Sequence, residues 1–446
     1  MTMKGNLMHS EDNPTAARRT GAVAVTGTDG YQDRIATVAA TRGLVAFWDF
    51  EREEGGRWTS YRDPRVVDRA FPVALRHIGD AAAYGPADWP YHDPDAALVI
   101  DRSGPFGHAV RFNRGHIFAD VARRDFDATP LDIHGRQPLT LVAWVKFLGP
   151  RHLIAGIWDE GGWDLYGGRR QVALFGGLFG SDGVIAHISA TGAASYPQST
   201  ARGAQYARAR AIDGCDVRND QWLCAAMTVD PSAHQVTAYC DGAATGTWIT
   251  DPVAEDVFHY GQPVASNPFD FSWPIYSPRA FVVKFNGYKV TESGVYEHWL
   301  RVDAASGDVT YDRHDAAVSS GRRDFRVTVD LLRDGVSVYP APFTARVTPK
   351  LSLTLPVRMP LRPGDELVAQ LDVWDGGAWH PVGTPVRYRL REGAPFTFGR
   401  ALGLGDDAID HGSQLCLDGV AVFNRVLAPA ELRALSFRAT GTSTFA

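Results

Sequence analysis

The sequence predicts an all-β protein in which a large antiparallel sandwich is interrupted by a second, smaller β-sandwich. Three observations lead there. Short β-compatible runs follow one another along most of the chain, separated by turns that contain Gly, Pro or Asp. No convincing amphipathic helix lies between them, which excludes a parallel βαβ architecture. The texture of the sequence changes near Asn267 and returns near residue 393. At 446 residues the chain is also too long for one ordinary core, so more than one unit is expected.

Composition supports the same class. The 12 Trp, 45 Gly and 27 Pro suit many short strands joined by tight turns, because rings pack well on pleated surfaces while Gly and Pro punctuate. A net charge of -6, with basic residues scattered as at Arg322 and Arg323, offers no stripe for a phosphate backbone. Nucleic acid is therefore excluded as a partner. No apolar run reaches the roughly 18 residues that suggest a spanning helix, so membrane insertion is not expected. The start carries only a brief apolar patch after Arg18 and Arg19. That reads as leaderless and cytoplasmic as encoded, with secretion as the alternative if the start is misassigned. Oligomeric state is left open.

The order of elements is as follows. Residues 1–42 are polar and small and read as a flexible arm. LVAFWDFE at 44–51 alternates with period two, and AALVIDRSGPFGHAVRF gives two strands around a Gly turn. PLTLVAWVKFLG, HLIAGIWDEGGWDLYG, QVALFGGLFG, GVIAHISA, QWLCAAMTVD and QVTAYCDGAATGTW continue the series, completing a first part at 43–266. Residues 267–392 begin with a Pro-rich linker and hold enough strands for a small sandwich. Residues 393–438 return to the first texture and end in a short helix at Pro429 to Leu435. The four cysteines have no zinc spacing and are expected as buried free thiols. A Cys224–Cys240 bridge between paired strands is the alternative.

Four ordered segments carry a resemblance: GLVAFWDFE at 43–51, DRSGPFGHAVRF at 101–112, LTLVAWVKF at 139–147 and LDGVAVFNRVLAPAEL at 417–432. They resemble the laminin-G-like, concanavalin A-like lectin and glucanase superfamily. Its members close with an alternating strand, an Asn-Arg turn and a short helix, matched here by Asn424, Arg425, Pro429, Ala430 and Glu431. The hairpin that ends in Asp241-Gly242 also looks like the family's central one. The resemblance implies an antiparallel jelly roll whose concave face binds saccharide in many members, often with a structural calcium at the rim.

Candidate chemistry falls in three places. IWDEGGWDLYGG gathers Trp158, Asp159, Glu160, Trp163, Asp164 and Tyr166, a mixture of stacking faces and carboxylates suited to a sugar cleft. A retaining hydrolase needs two carboxyls about 5 to 5.5 Å apart, whereas adjacent Asp159 and Glu160 point oppositely on a strand. The segment from His187 runs into a long loop with Tyr196, Arg202, Tyr206, Arg208 and Arg210. His, Tyr and Arg together are what a polysaccharide lyase needs for its base, acid and uronate partner. For metal, Asp101 in DRSG and Asp418 in LDGV offer hard oxygens, and the resemblance implies calcium near both. Turn-forming Asp is the rival reading.

The expectation is thus a carbohydrate-binding protein that uses Trp158, Asp159, Trp163, Tyr166, His187, Tyr196 and Arg202. The first alternative is a lyase or hydrolase using His187, Tyr196, Tyr206 or Glu160. The second is an adhesive module that binds protein.

Overall fold

The computed structural model describes residues 28–54, 57–77, 99–101, 104–112, 117–160, 169–176, 183–189, 192, 206–211, 219–233, 235–244, 275–284, 288–290, 294–315, 324–347, 353–355, 359–382, 384–403 and 413–437. The protein is mostly β, and every strand pair is antiparallel, as the sequence predicts. Two sheets form the larger unit. One has seven strands, in the order Gln235–Cys240, Trp222–Asp230, Leu139–Phe147, Leu415–Phe423, Ala109–Phe112 and Val99–Asp101, with Leu44–Trp48 also joined to Leu415–Phe423. The other has nine: Tyr206–Ala211, Val184–Ser189, Val172–Gly176, Leu153–Ile157, Phe396–Phe398, Ile117–Val121, Pro72–His77, Arg57–Thr59 and Glu53–Glu54.

A single apolar core joins these sheets. Leu141, Ala143, Val145, Val420 and Val422 come from the first, and Ile154, Ile157, Val172, Leu174 and Val184 from the second. The residues between them face the other way, because strand side chains alternate. In the seven-stranded sheet those residues, including Val142, Trp144, Ala421 and Phe423, enter another buried cluster with Leu427, Leu432 and Leu435. Both faces are therefore covered, which explains why LTLVAWVKF reads as an almost unbroken apolar run.

Part of the expected arm is ordered. Within residues 1–42, Thr28–Ala40 forms a helix, and Ile35 and Val38 are buried in the cluster over the seven-stranded sheet. Its apolar stripe is only a few residues wide, too sparse to stand out by periodicity, and tertiary burial supplies what propensity does not. Arg34 adds a hydrogen bond of 2.7 Å to the Pro105 carbonyl.

The closing helix, Pro429–Ala434, lies where the sequence places it. Pro429 opens it, since a missing N–H costs nothing in the first turn. The Glu431 carboxylate accepts the Ala428 N–H at 2.9 Å and pairs with Arg425, which holds its carboxyl down at about 2.

Strands between 280 and 389 pair only with one another among the described residues. One sheet holds Ala280–Lys284, Gly294–Asp303, Asp308–Asp315 and Leu353–Leu355, with Tyr288–Val290 on the second of these. The next holds Val336–Ser337, Phe325–Arg333, Glu366–Trp374 and Trp379–Pro381, with Phe343–Val347 and Val386–Arg389 joined to its two long strands. Their shared core includes Leu300, Val302, Val309, Phe325, Val327, Leu367 and Leu371. At its entry, Ile275 and Gly135 exchange backbone hydrogen bonds of 2.8 Å, and the Tyr388 hydroxyl donates to that of Tyr276 at 3.1 Å. The chain then returns to the larger unit with Phe396–Phe398 and Leu415–Phe423.

The cysteines divide. Cys224 and Cys416 are buried thiols outside any disulfide, whereas Cys240 is disulfide-bonded. The expectation of free thiols throughout fails at Cys240, and the alternative Cys224–Cys240 bridge is ruled out by parity. Cys240 lies opposite Ala225, so its neighbour Cys224 points to the other face. Burial pushes the Cys224 thiol up to about 12, which leaves it inert.

Candidate functional site

An acidic rim assembles where three segments meet. Leu415–Phe423 pairs with Leu139–Phe147 along its length, but the register slips between Leu417 and Gly419, making Asp418 the extra residue of a bulge. On the opposite edge, Ala109–Phe112 pairs with residues 415–417 and Leu44–Trp48 with residues 420–423, leaving Asp418 at the gap. Its fully buried carboxylate accepts the Phe106 N–H through Oδ2, while Oδ1 has no hydrogen-bond partner. Burial first, then the nearby Glu51 and Asp49 charges, push its pKa well up, against the opposing backbone donors.

The other two carboxylates arrive through a backbone kink. Phe50 sits at φ 55, rare for an aromatic residue, with its ring buried against Trp58 and Phe398. Asp49 Oδ1 accepts the Glu51 N–H at 3.2 Å. Burial raises the pKa of this carboxylate, and the Tyr61 hydroxyl and the Arg52 charge that also face it oppose the rise. Glu51 accepts the His108 N–H and meets His108 Nδ1 at 2.8 Å. A Cβ on Gly104 would strike the Asp418 carboxylate, and one on Gly107 would strike Glu51. The glycines of DRSGPFG therefore admit carboxylates that a side chain would displace.

Asp418 fits a hard cation, because a buried carboxylate oxygen without a donor is costly unless neutralised. Among the described residues, no three His, Cys, Asp or Glu side chains already converge on one metal-sized point. A bound ion would draw on backbone carbonyls and water as well. Asp418 is the metal candidate that lies here. Asp101 ends the adjacent strand, paired with Ala109, and its side chain lies outside the described residues.

The outer face of the nine-stranded sheet holds the other candidates. His187 is 3% exposed and Trp158 1% exposed, and their rings lie 5.4 Å apart and against Phe175. Trp158 is thus an interior ring here, not an open stacking surface. Its indole N–H donates to Glu160 Oε1 at 2.7 Å. Arg170, fully buried, grips Glu160 Oε2 through Nε at 2.7 Å and through Nη2, and it also donates to the Glu160 and Gly192 carbonyls. Asp159 is held in the same way by Arg169. The two carboxylates are committed to separate guanidinium groups, an arrangement for holding a loop rather than for acid and base work.

Trp163, Asp164, Tyr166, Tyr196 and Arg202 lie outside the described residues. Tyr206 opens the edge strand opposite Ser189, and Arg208 lies opposite His187 in register; none of these side chains is described beyond His187 and Ser189.

Sequence reasoning missed a polar row on this sheet. Thr397 is directly opposite Asp120 on neighbouring strands, and Arg76 Nε donates to Asp120 Oδ1 at 3.1 Å. Asp120 and Thr397 are buried, and the Arg76 side chain is 32% exposed at the rim. The alternation in FADV, with Asp between apolar residues, is the trace that marks Asp120 as facing away from the core. Among the described residues no helix is long and apolar enough to cross a membrane.

No family model matches the sequence, and no curated protein matches it. Among solved structures, Trypanosoma rangeli sialidase bound to the inhibitor DANA is similar at 12% identity, covering 91% of this chain and 37% of the sialidase, with a TM-score of 0.32. The unliganded enzyme gives a TM-score of 0.31 at 12% identity over the same shares. A structure titled for the dependence of botulinum neurotoxin type C entry on two ganglioside molecules is 9% identical, covering 89% of this chain and 96% of the other, with a TM-score of 0.24. This chain thus spans little more than a third of the sialidase, and scores this low do not establish a shared fold.

Proposed function

We propose that this chain is a carbohydrate-binding protein with a laminin-G-like, concanavalin A-type jelly roll, and that the outer face of its nine-stranded sheet receives a polysaccharide or oligosaccharide. The observation that carries the reading is the row Thr397, Asp120 and Arg76 on that face. This side of the sheet carries a small buried cluster of its own around Phe175 and Ile185, and the carboxylate–guanidinium pair reaches solvent from it through Arg76. Saccharides demand fixed donors and acceptors, and Arg76, with 32% of its side chain exposed, presents donors at the rim of this face. The paired state of Asp159 and Glu160 favours binding over hydrolysis. A disulfide at Cys240 accords with folding in an oxidising compartment, where polysaccharides are met.

The test is retardation of the purified protein in gels containing neutral or uronate-bearing polysaccharides, with reducing ends and unsaturated products assayed in parallel. Retardation by at least one polymer without product is expected. Arg76→Gln should weaken it about tenfold, the loss of one charged hydrogen bond, with an unchanged melting profile as control. Product release would make the protein an enzyme, and absence of retardation by every polymer would refute the reading.

Calcium belongs to the same proposal, held at the rim by Asp418, Asp49 and Glu51 as a structural ion. It would supply the positive charge that the Asp418 carboxylate lacks. Binding to the folded state alone stabilises by about 2.7 kcal/mol at a hundredfold excess over Kd. A rise in Tm on adding calcium, reversed by EDTA and absent in Asp418→Asn, is expected; identical Tm values with calcium and with EDTA would exclude the ion.

A further inference from the structure

A second polar and aromatic surface lies far along the chain, in the unit spanning residues 280–389. Strands Phe325–Arg333 and Glu366–Trp374 alternate buried and partly exposed residues, so one face makes the core and the other meets solvent. On the solvent face Trp374 is directly opposite Trp379, across the turn Asp375-Gly376-Gly377-Ala378. Their ring centroids are 5.4 Å apart and tilted by 56°. Both indoles are half-buried. The Arg326 guanidinium lies 4.9 Å from the centre of the Trp379 ring and that of Arg346 5.8 Å from it.

The charges on this face cancel locally. Arg326 donates to Asp372 Oδ2 at 2.9 and 2.7 Å, Arg346 pairs with Asp324, and Arg387 pairs with Glu366 at 3.1 Å. Asp375 anchors the turn by accepting the Gly377 and Ala378 N–H groups at 2.8 Å each, so the tip holding both indoles is braced. The surface is balanced in charge and dense in fixed donors and acceptors, with two indoles at one end.

We infer that this face is a second saccharide-binding site, for an uncharged glycan, separate from the nine-stranded sheet. The choice of ligand follows from charge. A polyanion would meet carboxylates as often as guanidinium groups here, since Asp330 balances Arg389 beside the three ion pairs, and a protein partner would bury those pairs at a desolvation cost with little apolar area in return. A neutral polyol leaves the pairs intact. It stacks a C–H face on the indoles and hydrogen-bonds to the flanking Arg326 and Asp372. This face shares no residue with the first site.

The experiment uses the full chain in gels containing neutral β-linked or α-linked glucans, mannans or galactans, compared with uronate-bearing polymers. Trp374→Ala and Trp379→Ala are each expected to reduce retardation by a neutral glycan at least tenfold, with Tm unchanged. If Trp379→Ala lowers Tm, Trp374→Ala alone decides. Unchanged retardation by every neutral glycan in Trp374→Ala overturns the inference, as does retardation by uronate polymers alone. Loss in Arg76→Gln with retention in Trp374→Ala would overturn the second site while sparing the first.

Discussion

Arg170→Met should destabilise the protein by about 3–5 kcal/mol, because it strands a buried carboxylate. Arg170 is fully buried and donates to both the carboxylate and the main-chain carbonyl of Glu160, and to Gly192. Without it the Glu160 charge keeps the Trp158 indole N–H as its remaining described donor. A domain's total stability is only about 5–15 kcal/mol, so such a loss would show plainly in urea or thermal unfolding. The double variant Arg170→Met with Glu160→Gln should recover much of it, since removing both charges removes the desolvation problem. A single-variant loss below about 1 kcal/mol would show that solvent reaches the pair, as it does for surface ion pairs.

Trp144→Ala is the other large effect, also about 3–5 kcal/mol. Trp144 is fully buried on the side of the seven-stranded sheet that the two helices cover. Phe106 meets it edge-on at 4.7 Å, Phe47 lies at 5.9 Å and Phe437 is stacked at 6.3 Å. Its indole N–H donates to the Leu435 carbonyl at 2.9 Å, tying down the end of the closing helix. Trp144→Phe keeps most of the ring contact and loses that bond, so about 1–3 kcal/mol is expected from the unsatisfied carbonyl and the smaller ring. Proteolysis near the C-terminus should accelerate in both variants. Equal losses for Ala and Phe would mean that the hydrogen bond, not the packing, dominates.

Much of the fold was legible because strand period and turn residues are local properties. FRVTVDLLR alternates in sequence and alternates in burial, and Pro429 with Glu431 marks a helix that is there. Thr28–Ala40 was not legible, since its order comes from a sheet that forms far later in the sequence. The candidate site was read less well, for a related reason. Trp158, Asp159 and Glu160 have the residue types of a sugar cleft, but the same types serve a buried ion-pair network, and only the positions of Arg169 and Arg170 distinguish the two. Asp418 stood out in LDGV as a candidate for a hard ion, and the structure places it at a strand bulge, fully buried. Its companions Asp49 and Glu51 lie more than 360 residues away in sequence and meet it only because of which strands share an edge.

The position of Leu415–Phe423 bears on how the molecule is made. It fills the place between Leu139–Phe147 and the strands Ala109–Phe112 and Leu44–Trp48, yet it leaves the ribosome after all of them. Throughout synthesis of residues 148–414 the edge of Leu139–Phe147 that will receive it has unsatisfied amides and carbonyls, the kind of edge that invites pairing with a neighbouring chain. The unit at 280–389 has its own sheets and core and needs no later segment to complete them. Once formed, with Tyr276 and Tyr388 clasped, it converts a tether of more than a hundred residues into a short bridge, shortening the search by which the final strand finds its slot.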